Sequence, residues 1–282
     1  MLDALGHYKI LDRIGDGGIG ALYRARDTRL GRTVAIRVVN ADISGDPDRL
    51  ARFLDAARAA SGISHPNIAA LYEVGEDGES HYLACEFVAG QPLRRLIAGS
   101  ALNPRRAIDL TVQIADALAD AHASDSVHGD IRPETIIVTT KGNAKLLDFG
   151  LASWTAGGRA RAQKADHQAD IRSLGEVLFE MLTGRPPSDL RAPSEVDPHL
   201  PRELDPIVLK ARDATDPYQA SATMAAELRS VAAILDVRSE VAKEGAIAPP
   251  RGSRRREATA WLVVLALLAA LAWVVWTATG VR

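Results

Sequence analysis

The sequence predicts an α+β fold in which a small β-rich lobe precedes a larger helical lobe, with one membrane-spanning helix added near the C-terminal end. Short β-type runs separated by turn residues occupy residues 8–87, and amphipathic helical patterns dominate residues 92–236. A long uncharged stretch lies within residues 258–280, behind a basic linker at 237–257. These three patterns divide the chain into a domain of residues 8–236, a juxtamembrane linker and a membrane anchor.

The composition says more about the cellular compartment of the protein than about its function. The 282 residues carry a formal net charge of -2 at pH 7, which gives no reason to expect a nucleic-acid partner. The single cysteine, Cys85, excludes a disulfide within the chain and fits a reducing compartment. Arginine far outnumbers lysine, so an arginine that stands where a related protein has lysine can reflect composition alone.

The β-rich part consists of strands interrupted by one helix, with glycine-containing turns between them. The predicted elements are strands at Tyr8–Ile14, Gly20–Asp27 and Arg32–Val39, a helix at Asp48–Ser61, and strands at Ala69–Val74 and Tyr82–Phe87. The order of these elements indicates a sheet with a helix packed on it, as in an α+β domain.

After Pro92 the apolar residues change to helical spacing. The segment Pro104–Ser124 has a proline in its first turn and apolar residues three or four positions apart, which is typical of an amphipathic helix. Two short strands and two more helices follow, at Ile136–Val138, Lys145–Leu147, near Gln168–Leu182 and near Met224–Leu235.

A membrane anchor is predicted near the C-terminal end. No charged residue occurs from Ala260 to Trp276, and about 20 such residues cross a bilayer core of about 30 Å. Trp261 lies at one end of the span and Trp273 near the other, where interfacial aromatics are found. Four arginines precede the span and one follows it, so the positive-inside rule places the domain in the cytoplasm and the C-terminus outside. The alternative is a buried helix of a soluble domain, but the linker APPRGSRRRE favours an anchor.

A glycine-rich motif, Gly15-Asp-Gly17-Gly-Ile-Gly20, lies between two predicted strands. A dinucleotide-binding fold would place a helix directly after such a motif. A glycine hairpin between strands can instead lay its backbone N–H groups over phosphates, because no side chain blocks the approach. The spacing alone is a weak signal, and an ordinary glycine-rich hairpin is the alternative.

Three further motifs follow in order along the chain. They are Val34-Ala-Ile-Arg37, His128-Gly-Asp130-Ile-Arg132-Pro-Glu-Thr135 and Asp148-Phe-Gly150. Each string is short enough to occur by chance, but with the glycine motif they resemble the signature set of Hanks-type serine/threonine protein kinases of bacteria. The resemblance covers residues 8 to about 236 and implies the bilobal protein kinase fold.

The resemblance also implies a site for ATP and Mg²⁺ between the lobes. It makes Asp130 the acceptor of the substrate hydroxyl proton, puts Arg132 in place of the catalytic-loop lysine and makes Asp148 a magnesium ligand. Thr135 stands where the family has its second magnesium ligand, an asparagine. The residues implied at the nucleotide are Gly15, Gly17, Gly20, Leu22, Ala35, Arg37, Glu86, Val88 and Ile137. By the same resemblance, Cys85 takes the gatekeeper position and Asp170 anchors the catalytic loop.

Several positions depart from the family pattern. The family's strand lysine, held by a helix glutamate, is Arg37 here, and counting back from His65 puts Ala56 in the place of the glutamate. A guanidinium fork cannot sit as a lysine ammonium does. The neighbouring Asp55 points about 100° away around the helix, unless the alignment shifts by one residue. Thr135 is shorter than asparagine and β-branched, which weakens the case for direct metal coordination.

Larger losses affect the helical lobe. The segment between Asp148 and Asp170 is much shorter than the activation segment of the family, and it lacks the Ala-Pro-Glu string. The platform for a substrate peptide is therefore expected to be missing. Between Pro187 and Leu200 the chain runs on without room for the helix that docks partners in this family.

These departures predict a membrane-anchored pseudokinase, meaning a kinase-shaped domain with impaired catalysis that acts as a nucleotide-responsive signalling or scaffold module. Binding of ATP and Mg²⁺ is expected to be weak, and the sequence identifies neither a protein partner nor an oligomeric state. One alternative is a residually active kinase that transfers the γ-phosphoryl group of ATP to serine or threonine hydroxyls. Another is phosphorylation of a small molecule, which needs no peptide platform.

Overall fold

The computed structural model describes residues 2–151, 154 and 166–246, with side chains described as far as residue 241. Residues up to Ala233 form one compact unit, and residues from Ile234 onward belong to a second. The predicted anchor at 258–280 and most of the shortened segment between Asp148 and Asp170 lie outside the described residues.

The first lobe is built on an antiparallel sheet. Its described strands are β1 (Ala4–Leu5), β2 (Tyr8–Asp16), β3 (Gly20–Asp27), β4 (Thr33–Val39), β5 (Leu71–Asp77) and β6 (Ser80–Glu86). They lie in the order β1-β2-β3-β4-β6-β5. Two helices, α1 (Ala41–Ser44) and α2 (Pro47–Ser61), connect β4 to the segment before β5. The hairpin between β2 and β3 therefore carries the glycine motif, as the sequence predicted.

The second lobe is mainly helical, with a small sheet at the boundary between the lobes. That sheet holds β7 (Gly90–Pro92), β8 (Ile136–Thr139) and β9 (Ala144–Leu146). The described helices are α3 (Leu93–Leu96), α4 (Pro104–Ala123), α5 (His167–Thr183), α6 (Pro193–Val196), α7 (Asp205–Arg212) and α8 (Ser221–Ala246), with a 3-10 turn at Arg202–Leu204.

Three of the longer helices begin after a residue whose side-chain oxygen accepts hydrogen bonds from the first backbone N–H groups of the helix. Asp46 caps α2 and Asn103 caps α4, each through a side-chain oxygen, and each is followed by a proline at the first helical position. Asp166 caps α5 in the same way, and Gly184 ends it in the left-handed conformation at φ 67°. These signals are local, which is why the sequence located the starts of the helices well.

Helix α5 lies at the centre of the second lobe and packs against α4 and α7. Its buried residues include Leu174, Leu178 and Leu182, and the polar Asp170 is buried with them. A Cβ added at Gly175 would stand 2.6 Å from the Cβ of Ala211, so a larger side chain there would force α5 and α7 apart.

The structure confirms the predicted bilobal architecture and corrects the predicted end of the last described helix. Helix α8 continues to Ala246, whereas the sequence suggested an end near Leu235 and a linker from residue 237. The added residues are mostly strong helix formers, and no proline interrupts them before Pro249. Between Pro187 and Leu200 the chain forms only the four-residue α6, in keeping with the expected loss of a docking helix. None of the helices within the described ranges is both long enough and apolar enough to cross a bilayer.

Candidate active site

A cleft between the β-rich lobe and the helical lobe brings most of the predicted nucleotide residues together. Its lining includes Leu22 from β3, Ala35 and Arg37 from β4, and Ile137 from β8. Glu86, Val88 and the implied metal ligand Asp148 also line it. Residues separated by more than 100 positions thus meet in one cavity.

Asp170 anchors the loop that carries the catalytic motif. Its side chain is 1% exposed and accepts hydrogen bonds from the backbone N–H groups of His128 and Gly129, both at 2.8 Å. The Nε2 of His122 lies 3.0 Å from the same carboxylate. Helix α5 therefore holds the loop through a carboxylate, which confirms the position predicted for Asp170.

The His128 ring fixes the loop from the inside. Its Nδ1 accepts a hydrogen bond from the backbone N–H of Asp130 at 3.0 Å, so the Nε2 must carry the proton that it donates to the Leu147 carbonyl at 2.9 Å. The ring also meets Phe149 edge to face, with centroids 5.2 Å apart. The His128 ring therefore fixes the position of the loop relative to the Asp148-Phe-Gly150 motif.

Asp130 and Arg132 form an ion pair within the loop that carries the catalytic motif. The Arg132 Nε donates to Asp130 Oδ1 at 3.1 Å, and the Asp130 side chain is 1% exposed. A buried carboxylate held beside a cation can accept a proton from a substrate hydroxyl, which is the role implied for Asp130. Arg132 places a positive charge beside Asp130, at the position where the resemblance implies a lysine.

Thr135 uses its hydroxyl within the loop. The oxygen accepts a hydrogen bond from the Arg132 N–H at 3.1 Å and lies 3.0 Å from the carbonyls of both Asp130 and Arg132. The residue is 4% exposed. Its hydroxyl thus caps backbone groups within the loop.

A chain of alternating charges, which sequence reasoning missed, leads away from Arg132. Arg132 lies 3.6 Å from Glu134, which accepts a hydrogen bond from Arg94 at 2.7 Å, and Arg94 also pairs with the buried Glu180 of α5. Partial burial would raise the pKa of Glu134, but the bond from Arg94 lowers it below its usual value. No local pattern indicates this network, because its members come from three separate segments.

Asp148 is paired with Arg37 rather than left open toward the cleft. The Arg37 Nη2 lies 2.9 Å from Oδ1 and 3.0 Å from Oδ2, and the two side chains are only 12% and 20% exposed. Asp148 also adopts a left-handed backbone conformation with φ 57°, which is uncommon outside glycine. The carboxylate that the family uses for magnesium is therefore neutralised by a guanidinium from the chain itself.

The glycine hairpin is closed on itself. Gly17 and Gly20 exchange backbone hydrogen bonds at 3.1 Å in both directions, so these N–H groups do not face an open phosphate site. Asn40 holds the tip through its side-chain N–H bond to the Gly18 carbonyl at 2.8 Å and its backbone bond to the Ile19 carbonyl at 2.9 Å.

The tip residue of the hairpin, Ile19, is completely buried. It belongs to an apolar cluster with Phe53 and Ala57 of α2, Leu83 of β6 and Leu151. An apolar residue at the turn of a glycine motif is the one sequence signal that could have predicted this burial. The cluster ties the hairpin to α2 and to the residue that follows the Asp148-Phe-Gly150 motif.

Helix α2 offers no carboxylate to Arg37. Asp55 is 75% exposed and pairs with Arg58 at 3.0 Å, so it points to solvent as predicted. Ala60 lines the cleft, and Ala56 lies one turn earlier on the same face of α2. The Lys–Glu pair of the family is thus replaced by an arginine that turns to Asp148 instead.

The gatekeeper Cys85 lies at the back of the cleft. Burial, with a smaller contribution from the nearby Asp148 carboxylate, raises the pKa of the Cys85 thiol to about 12. The thiol is therefore protonated at neutral pH and acts as a small apolar group rather than as a nucleophile.

The residues described here do not fit a magnesium ion in their present arrangement. Mg²⁺ prefers octahedral oxygen coordination, and the implied protein ligands are Asp148 and Thr135. The first is engaged by Arg37, and the hydroxyl of the second is engaged in the catalytic loop. Within the described part of the chain, no group of three or more His, Cys, Asp or Glu residues could hold a metal ion.

The chain is similar to known protein kinases over most of its length. A family model described as "Protein kinase domain" matches residues 8–232. Serine/threonine-protein kinase PrkC of Bacillus subtilis is 34% identical, with 80% of this chain and 40% of PrkC covered. A probable serine/threonine-protein kinase of Streptomyces coelicolor, SCO3848, is 33% identical with the same coverage. The chain thus spans about 40% of the length of these curated relatives.

Solved structures agree on the fold. The kinase domain of Mycobacterium tuberculosis PknI superposes with a TM-score of 0.69 over 82% of this chain and 98% of that domain, at 22% sequence identity. At this identity the likeness concerns the fold alone.

Proposed function

The chain belongs to the protein kinase family, on its bacterial serine/threonine branch, and from that membership we propose that it is a membrane-anchored, catalytically impaired kinase domain. It acts through its conformation and its partners rather than by efficient phosphorylation. What occupies the cleft between the lobes biases that conformation, and the membrane span keeps the domain at the cytoplasmic surface.

The pairing of Arg37 with Asp148 is the observation that carries this proposal. Phosphoryl transfer depends almost entirely on positioning and on neutralising charge around the transferred group. Here Arg37 forms an ion pair with Asp148, the implied metal ligand, and α2 has no carboxylate that could pair with Arg37 instead. Each missing electrostatic stabiliser lowers a rate by about 10²–10³, although such losses do not simply add.

One observation favours the alternative of a residually active kinase. Asp130 remains beside Arg132 in a loop that is fully supported by His128 and Asp170. These contacts support Asp130 as the group that would receive the substrate proton, whereas the implied metal ligand Asp148 is paired with Arg37. If transfer occurs, it runs from ATP to a serine or threonine hydroxyl with Asp130 accepting the hydroxyl proton.

The first prediction concerns phosphoryl transfer. The full chain, incubated with γ-labelled ATP and Mg²⁺ or Mn²⁺, is expected to label itself or a generic protein substrate at less than about 1% of the rate of an active kinase. Any remaining signal should be the same in the Asp130→Asn variant. The exposed Asp55→Asn variant serves as the matched control for a lost carboxylate, since Asp55 lies outside the cleft. Labelling that Asp130→Asn abolishes and Asp55→Asn retains would overturn the proposal.

The second prediction concerns the membrane. The uncharged stretch from Ala260 to Trp276 and the four arginines before it support a single span with the domain in the cytoplasm. Deletion of residues 258–282 is expected to move the protein from the membrane pellet to the soluble fraction, whereas the full chain should resist a high-salt wash and need detergent. A truncated protein that still sediments with membranes in high salt would show that another part of the chain anchors it.

A further inference from the structure

The tip of the glycine hairpin is buried, although turns between strands usually lie at the protein surface. Ile19, between β2 and β3, is 0% exposed. Leu30, in the next turn between β3 and β4, is 69% exposed. Both turns carry an apolar side chain, so the burial of Ile19 reflects a specific site within the domain rather than the apolar character of the residue.

The site that receives the Ile19 side chain is an apolar cluster, which we call the tip pocket. Its other buried members are Val39, Ile43, Phe53, Ala57, Leu83 and Leu151. Trp154 packs against the same cluster, and its ring meets Phe53 edge to face with centroids 5.2 Å apart. The hairpin tip and the start of the segment after Gly150 therefore share one apolar core.

Hydrogen bonds also hold the tip at this site. Asn40 uses both ends of its side-chain amide, since Nδ2 donates to the Gly18 carbonyl at 2.8 Å and Oδ1 accepts from the Ile43 N–H at 3.2 Å. The backbone N–H of Asn40 donates to the Ile19 carbonyl at 2.9 Å. Because Ile43 belongs to the tip pocket, Asn40 ties the hairpin backbone to the cluster that holds the Ile19 side chain.

The closed hairpin lies against the charged end of the cleft, where the family resemblance puts the phosphates of ATP. Gly17 and Gly20 spend their backbone N–H groups on each other's carbonyls at 3.1 Å. The Arg37 Nη1 lies 3.1 Å from the point where a Cβ on Gly17 would stand, and its Nη2 contacts Asp148. A triphosphate can therefore enter only after the hairpin lifts, and lifting the hairpin withdraws Ile19 from the tip pocket.

We propose that the contact of Ile19 with the tip pocket is autoinhibitory: it keeps the glycine hairpin closed to phosphates, and its release opens the hairpin. This proposal rests on the proposed function in one respect, that the occupant of the cleft biases the conformation of the domain. The tip pocket gives that bias a physical basis, because Leu151 and Trp154 from the segment after Gly150 pack in it. A movement of this segment releases the hairpin, and a ligand that lifts the hairpin loosens the segment, since such coupling is reciprocal.

Hydrogen–deuterium exchange of the Gly17 and Gly20 amides in the full chain, in detergent, measures the opening of the hairpin. Ile19→Ser is expected to speed this exchange by about tenfold or more, because the burial of the isoleucine side chain is lost. Leu30→Ser is the matched control at an exposed turn, and it should change the exchange rate by less than about twofold. Trp154→Ala leaves the hairpin sequence unchanged and should speed the same exchange by about threefold or more.

Titration calorimetry with ATP then relates opening to binding. If ATP needs the open hairpin, its affinity and the exchange rate rise by the same factor, since both are proportional to the small fraction of open hairpin. Ile19→Ser is thus expected to bind ATP about tenfold or more tightly than the unmodified chain, and Leu30→Ser should bind ATP as the unmodified chain does.

Three results would contradict this inference. The first is exchange of the Gly17 and Gly20 amides in the unmodified chain as fast as in an unstructured peptide, and this result stands even if Ile19→Ser fails to fold. The second is equal exchange in Ile19→Ser and Leu30→Ser. The third is faster exchange in Ile19→Ser without tighter ATP binding, which would mean that the closed hairpin does not exclude phosphates.

Phosphate labelling of the unmodified chain tests the proposed function separately. Labelling that Asp130→Asn abolishes, together with protected hairpin amides that Ile19→Ser exposes and tighter ATP binding by that variant, would remove the proposed function and leave this inference in place.

Discussion

Replacement of Asp170 by alanine is expected to lower the free energy of unfolding by about 3–5 kcal/mol. The Asp170 carboxylate is 1% exposed and accepts hydrogen bonds from the His128 and Gly129 N–H groups at 2.8 Å. Alanine would leave the buried His128 donor and the partly buried Gly129 donor without this acceptor, and it would remove the partner of His122 at 3.0 Å. Water cannot easily replace the carboxylate, because His128 itself is 1% exposed.

Urea unfolding followed by circular dichroism measures this loss. Asp120→Ala is the control, since the Asp120 side chain is 71% exposed, and it should change the free energy of unfolding by less than about 0.5 kcal/mol. Asp170→Asn keeps one acceptor oxygen, so its loss in free energy of unfolding should lie between those of Asp170→Ala and Asp120→Ala. A loss for Asp170→Ala within about 1 kcal/mol of the control would mean that the catalytic loop does not depend on this anchor.

Replacement of Ala56 by glutamate is expected to make ATP binding depend on Mg²⁺ and to raise the affinity by about tenfold or more. Ala56 lies on the face of α2 that carries Ala60 into the cleft, so a carboxylate there can attract the Arg37 guanidinium. Arg37 would then release Asp148, whose oxygens become free for a metal ion. A single substitution thus restores the pair on which the family relies.

Titration calorimetry with ATP, with and without Mg²⁺, measures this gain. Ala59→Glu is the matched control, because it adds the same charge to an exposed position of the same helix. If A56E raises the Mg²⁺-dependent affinity no more than A59E does, the pairing of Arg37 with Asp148 is not what limits nucleotide binding. The double variant of Ala56→Glu with Arg37→Lys should bind ATP with Mg²⁺ more tightly than A56E alone. A lysine ammonium is narrower than the guanidinium fork and can take the position that lysine has in the family.

Much of the fold was predictable because its signals are local. The strand Gly20–Asp27 was predicted with the boundaries that β3 has, and the predicted helix Pro104–Ser124 differs from α4 by one residue. Counting from His65 placed Ala56, not Asp55, on the inner face of α2, and the exposed Asp55 agrees with that count. The end of α8 was missed because helix-forming residues continue past Leu235 without a stop signal.

The candidate site was predictable as a set of positions but not as a set of contacts. The motifs named Arg37 and Asp148, yet nothing in the sequence paired them, since 111 residues separate them along the chain. The burial of Ile19 depends likewise on Leu151, which arrives from the other lobe.

By itself the sequence determined the order of strands and helices, the family resemblance and the missing groups at Ala56 and Thr135. It could do so because periodicity, capping and short motifs each depend on residues that lie close together in the chain. Only the tertiary structure decided that Arg37 turns to Asp148 and that the glycine hairpin closes over Ile19. An ion pair or an apolar contact forms with whichever group lies within a few ångströms, and the folding of distant segments sets that distance.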